Sequence, residues 1–151
     1  MSDQTPMSAQ PEPASPNPAG PAQPPAYPSY AAPPPPMTPS EERGWAMASH
    51  VIPAICTVFS AGFLGFVGAL VVYLVYKDRG PFVRASAANS LNIELTVLVV
   101  ALVSLPLMFL LIGFITLPAA VIGGVVLHVI GALRANEGQW WKPPVTITFV
   151  R

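Results

Sequence analysis

Beyond Thr38 the chain becomes a nearly unbroken apolar run, and its few polar or helix-breaking positions define the elements. Thr38-Pro39-Ser40-Glu41 reads as a helix start, with Thr38 as N-cap, Pro39 at the first helical position and Glu41 completing a capping box. Glu41 and Glu42 also suit the positive end of the helix dipole. A single helix from Ala46 to Tyr76 would extend about 46 Å at 1.5 Å per residue, against a hydrocarbon core of about 30 Å. Ser60-Ala61-Gly62 offers the best break, which predicts helices over 39–59 and 63–76. Pro53 should kink the first, because proline removes a hydrogen-bond donor. Pro81, following Gly80, opens a third helix over 81–112 with a kink near Pro106. Its first turns, to about Asn89, are expected at the membrane interface. Gly113 breaks the pattern, Thr116 caps a fourth helix over 116–136 with Pro118 in its first turn, and Gly138 stops it.

Charge turns this helical pattern into a membrane protein. Between Gly44 and Leu133 only five side chains are charged: Lys77, Asp78, Arg79, Arg84 and Glu94. Over the whole chain 9% of residues are charged and 52% are hydrophobic, whereas soluble domains are about 25% charged. The turns at 60–62 and 113–115 carry no Lys or Arg; Arg43, the central window and Arg134, Lys142 and Arg151 hold all seven. Cytoplasmic loops carry the Lys/Arg excess, so four crossings place both termini and the central loop in the cytoplasm. Trp45 and Trp140-Trp141 suit the headgroup level as anchors. The reading is an all-α integral membrane protein of four short or kinked transmembrane helices in two hairpins.

The flanks differ from this core. Residues 1–40 hold 14 of the 20 prolines, little charge and no apolar periodicity. Such a stretch cannot bury enough surface to offset its ordering entropy. Residues 1–38 are therefore expected to form a disordered proline-rich cytoplasmic tail, a spacer or a docking segment with Tyr27-Pro28-Ser29-Tyr30 as its aromatic handle. Residues 39–138 are the helical membrane domain. Within 139–151, Val145, Ile147 and Phe149 alternate with Thr146 and Thr148. This period of two predicts an interfacial extended segment lying along the membrane or against the central loop.

Four polar residues reach one depth on this topology: His50, Asn92, Glu94 and His128. Each lies roughly 5–10 Å below the cytoplasmic boundary at 1.5 Å per residue. Ionisable groups there face the bundle interior and find partners. His50, Glu94 and His128 are expected to meet, with Asn92 bridging, as a packing lock or as a proton or cation site. Small residues recur on the last helix (Ala120, Gly124, His128, Ala132) and on the second (Gly62, Gly65, Gly68), suited to close helix packing within the chain or between copies. Zero net charge gives no electrostatic case for nucleic acid. The single cysteine, Cys56, sits in an apolar run and reads as a structural residue behaving as a small hydrophobe. No catalytic, phosphate-binding, cofactor or metal motif stands out, and the chain is expected not to be an enzyme.

Lys77-Asp78, then Pro81-Phe82-Val83, then Leu91-Asn92 resembles the signature of a bacterial membrane family, that of domain of unknown function 4870. His50 and the stretch from Asn136 through Val150 are similar to its flanks. The resemblance covers about residues 41–151 and departs at two positions: the family often has a histidine where Ser86 stands and an amide where Glu94 stands. That family is distantly similar to a channel-like subunit of the chloroplast inner-envelope translocon. The resemblance implies a four-helix membrane bundle.

The expected function is a non-enzymatic inner-membrane protein acting by protein–protein contact, as a scaffold or accessory subunit. The lipid bilayer, a membrane or envelope protein met through the tail, and a second copy of the chain are its expected partners. The alternative is a small channel or transporter subunit with its polar level at His50, Glu94 and His128.

Overall fold

The computed structural model describes residues 35–151; the tail expected over 1–38, apart from its last four residues, lies outside the described residues. Four α-helices follow one another: α1 (Pro39–Phe59), α2 (Gly65–Tyr76), α3 (Pro81–Leu107) and α4 (Gly113–Asn136), with a 3-10 turn at Met108–Leu110. Among the described residues there is no strand. α3, continued through the 3-10 turn, and α4 are each long and apolar enough to cross a membrane, and α2 is a shorter apolar helix.

The helix boundaries follow from local hydrogen bonds. At the start of α1, the Thr38 N–H donates to Glu41 Oε2 at 2.8 Å and the Glu41 N–H donates to Thr38 Oγ1 at 3.3 Å, a reciprocal capping box. The Thr38 backbone N–H, and after it the Thr38 hydroxyl, hold the Glu41 carboxyl below the usual carboxylate range. α1 ends where Ala61 and Gly62 take positive φ values of 52° and 95°. Ser60 Oγ donates to Cys56 O at 2.6 Å and accepts from the Leu64 N–H at 2.8 Å. That hydroxyl occupies the turn through Leu64, so α2 begins at Gly65 rather than at 63.

α3 stops at Leu107 rather than running to 112. Leu111 takes φ 63°, a left-handed conformation, and reverses the chain. A side chain at Gly113 would strike the Ser104 carbonyl, so only glycine lets α4 start this close to the end of α3. Thr116 is not the cap of α4. It lies inside the helix, and its hydroxyl pairs with Ser104 Oγ at 2.6 Å, which ties the two helices just inside their turn.

The start of α3 is completed from another helix. Glu42 Oε1 accepts from the backbone N–H groups of Phe82 at 2.7 Å and Val83 at 3.2 Å. Those donors have no partner within their own helix. A side chain at Gly80 would collide with the Glu42 carboxylate, so this close approach is what position 80 requires. Behind it, Phe82 packs with Ala46 and Ala135, closing α1, α3 and α4 around a small apolar cluster.

In the bundle α1 packs against all three other helices, as does α3, while α2 and α4 have no mutual contact. α3 carries more buried residues than any other helix, and its small residues Ser86, Ala87, Ala88 and Ser90 let its neighbours come close. The glycines of α2 and α4 do the same within the chain: Gly68 lies against Cys56 and Gly124 against Val97. Outward the surface is apolar. Phe59 is 87% exposed and Phe109 is 93% exposed, both at the uncharged end of the bundle. Water would not tolerate so continuous an apolar surface, and a bilayer does.

Replacing Glu42 by Ala is expected to lower stability by about 1–2 kcal/mol, because two buried-end donors lose their acceptor. The measurement is the thermal unfolding midpoint in detergent, and an unchanged midpoint would show that α3 is capped some other way.

Candidate functional site

One hydrogen-bonded chain of side chains runs through the interior. Thr57 on α1 donates its hydroxyl to Glu94 Oε1 on α3 at 2.5 Å. His128 Nε2 on α4 lies 2.8 Å from the same oxygen. His128 Nδ1 lies 3.3 Å from His50 Nδ1, back on α1. Exposure is 0% for Glu94 and Thr57, 1% for His128 and 2% for His50. A carboxyl group in such surroundings is costly unless paired, and α1 and α4 supply the pairing.

Local sequence makes the chain possible. His50 and Thr57 are seven residues apart and share one face of α1. Glycines make room where the polar groups crowd. A side chain at Gly65 on α2 would overlap both Thr57 Oγ1 and the Glu94 carboxyl. A Cβ at Gly131 would sit 2.5–2.8 Å from three atoms of the His50 ring. Glu94 Oε2 faces Gly65 and has no hydrogen-bond partner among the described residues. The edge of Trp141 stands over His50, with ring centroids 6.2 Å apart.

The structure thus brings His50, Glu94 and His128 together and leaves Asn92 out. Asn92 does not bridge the histidines. It is buried on a different face of α3, where it holds the C-terminal segment. Its Oδ1 accepts from the N–H groups of Phe149 at 2.8 Å and Val150 at 2.9 Å, and its Nδ2 donates to Val150 O at 2.8 Å. One helical residue therefore supplies the donor and acceptors that a neighbouring strand would. Asn89 Nδ2 donates to Trp141 O at 2.6 Å, and Thr96 Oγ1 accepts from the Ile147 N–H at 3.0 Å. Residues 139–151 consequently lie along α3 rather than along the central loop, and with side chains as partners they form no strand.

The loop residues have structural roles. Lys77 and Asp78 pair at 3.3 Å, but their side chains are 40% and 78% exposed, and such a pair contributes little. Pro81 occupies the first position of α3. Phe82 is buried edge-on against Trp140 at 5.3 Å, and Val83 is fully buried. Thr57 and Glu42 were missed by the sequence reading. The seven-residue spacing from His50 was a usable signal for Thr57, whereas nothing local marks Glu42 as the cap of a distant helix. Among the described residues no group of His, Cys, Asp and Glu could hold a metal ion.

Asn92→Ala is expected to release the C-terminal segment, since three hydrogen bonds of about 1 kcal/mol each are lost. Amide exchange at Phe149 and Val150 should quicken at least about tenfold, while the Thr57–Glu94–His128 contacts stay in place. Unchanged protection would mean that side-chain packing alone holds the segment.

A family model described as the magnetosome magnetite crystal formation protein family matches residues 41–150, from the first turn of α1 to the end of the C-terminal segment. This finding overturns the expected assignment to the family of domain of unknown function 4870, and no similarity to the chloroplast translocon subunit is shown. The residues behind that assignment have a physical reason to mislead. Lys77-Asp78 and Pro81-Phe82-Val83 form a charged turn and a helix start, which many helical hairpins need. No match was found among curated proteins or among solved structures.

Proposed function

The chain belongs to the magnetosome magnetite crystal formation protein family, and on that premise we propose that it is a multi-pass, non-enzymatic protein of the magnetosome membrane. It takes part in crystal formation by contact with other components of that membrane. The observation that carries this reading is the span of the family match, which takes in the whole helical bundle and its C-terminal segment.

The orientation is argued from charge. Arg43 lies beside Gly138, Glu42 caps α3, and Arg84 Nη2 lies 3.4 Å from Arg151 O. These contacts gather the start of α1, the α2–α3 turn and the end of α4 at one end of the bundle. Arg43, Lys77, Arg79, Arg84 and Arg134 belong to those three regions, and Lys142 and Arg151 to the C-terminal segment, whose last residue lies beside Arg84. The turns at the other end, 60–64 and 108–112, are uncharged. With four crossings the charged end faces the cytoplasm. The end facing the crystal compartment is then apolar and offers the mineral no carboxylate from the described residues. That supports action through cytoplasmic and in-membrane contacts, with the proline-rich tail as one candidate docking segment, rather than direct templating of mineral.

Reporter fusions are expected to place both termini in the cytoplasm; an external N-terminus would remove the orientation. Crosslinking with mass spectrometry in native magnetosome membranes, with and without residues 1–36, is expected to capture a membrane protein whose yield falls when the tail is absent. Equal capture would move the contact from the tail to the helices, and no captured protein would sink the contact reading.

A further inference from the structure

The chain Thr57–Glu94–His128–His50 has more in it than a lock between helices requires. A lock needs each polar atom satisfied in one arrangement. Here Glu94 Oε1 takes two partners while Oε2, equally buried, takes none among the described residues. Native interiors rarely leave such an atom bare without a reason. The two linking contacts are ring nitrogen to ring nitrogen and ring nitrogen to carboxyl oxygen. Either member of each can be the donor, so both contacts can reverse polarity without moving an atom other than hydrogen.

We propose that this chain is a proton-binding site, with Glu94 the group that takes the proton and His50 and His128 the relay that delivers it. In the unloaded state His50 carries its hydrogen on Nδ1 and donates to His128 Nδ1. His128 carries its hydrogen on Nε2 and donates to the Glu94 carboxylate. A proton arriving at His50 Nε2 releases the Nδ1 hydrogen to His128 Nδ1, and His128 passes its Nε2 hydrogen to Glu94 Oε1. One proton enters and one ends on Glu94. Both imidazoles finish neutral, each with its hydrogen on the opposite nitrogen. Every contact survives with its direction reversed: Glu94 donates to His128 Nε2, and His128 Nδ1–H donates to His50 Nδ1. Thr57 donates to Oε1 throughout. In the loaded state Oε2 is the carbonyl oxygen of a neutral acid, the form in which an unpartnered buried oxygen is least costly.

The surroundings are consistent with a site that only a proton can fill. α1 contributes His50 and Thr57, α3 contributes Glu94, and α4 contributes His128. α2 presents Gly65 and has no titratable residue from there until Tyr73. The C-terminal segment presents the Trp141 ring. Gly65 stands too close to Oε2 for a metal ion to fit between them. The way in is a crevice of about 270 Å³ between α1 and α4, whose lining includes Met47, Ala132, Asn136 and both histidines. This inference concerns the buried chain alone and does not depend on which partner the protein contacts.

The test uses the full chain in lipid nanodiscs, observed as pH is changed between about 5 and about 8. Infrared difference spectra are expected to show the band of one protonated carboxylic acid appearing on acidification, and that band should be lost in Glu94→Gln. In the unsubstituted protein, nitrogen NMR of the His128 ring should show the hydrogen on Nε2 at high pH and on Nδ1 at low pH. That second measurement stands even if the variant does not fold. His50→Phe should leave the acid band in place and slow its appearance after a pH jump. A His128 ring that keeps one tautomer across the range, or a carboxylic acid band unaffected by Glu94→Gln, would overturn the proposal.

Discussion

A carboxyl group buried in a bundle whose outer surface is apolar sets the terms for the rest of the structure. Glu94 is fully buried and is met by side chains. Thr57 and His128 meet it from α1 and α4, so neither helix can rotate or slide without breaking a contact. α2 then has one way to approach, through a glycine at the point where any side chain would overlap the acid. Four helices with largely featureless apolar faces, which lipid could solvate in many arrangements, are thereby held in one.

The meeting of His50, Glu94 and His128 was legible in the sequence, and the direction of each side chain was less so. Helix rise and the positions of the charged residues place His50, Asn92, Glu94 and His128 at a common level. Rise alone does not say which way each points. Asn92 and Glu94 are two residues apart, a spacing that puts them on different faces of α3. One faces the histidines and the other holds the C-terminal segment. The angular argument was available, and it separates a bridging amide from one that binds backbone.

Local chemistry fixed the start of α1, because a capping box needs only four consecutive residues. It also placed the start of α3 at Pro81, where the helix begins, but not the acceptor of its first N–H groups, which comes from Glu42 on another helix. The end of α3 escaped for a related reason: Leu111 adopts a conformation that its residue type disfavours, imposed by the contact between Ser104, Gly113 and Thr116. Tertiary packing set that cap and that end. The short motifs of the central loop misled about family for the same underlying reason, since they report the needs of a turn.

The brevity of α2 has a consequence for where the protein sits. Its 12 residues extend about 18 Å, against about 36 Å for the 24 residues of α4. On the four-crossing arrangement, lipids beside α2 meet a hydrophobic belt far narrower than those beside α4, and the two helices lie on separate sides of the bundle. On that arrangement the protein is a wedge in hydrophobic thickness. A flat bilayer of uniform thickness must deform on one flank to accept it, and the deformation costs fractions of a kcal/mol per ångström. Membranes that are already thin or unevenly packed would hold it more cheaply, so its distribution among membranes follows partly from the mismatch between two of its own helices.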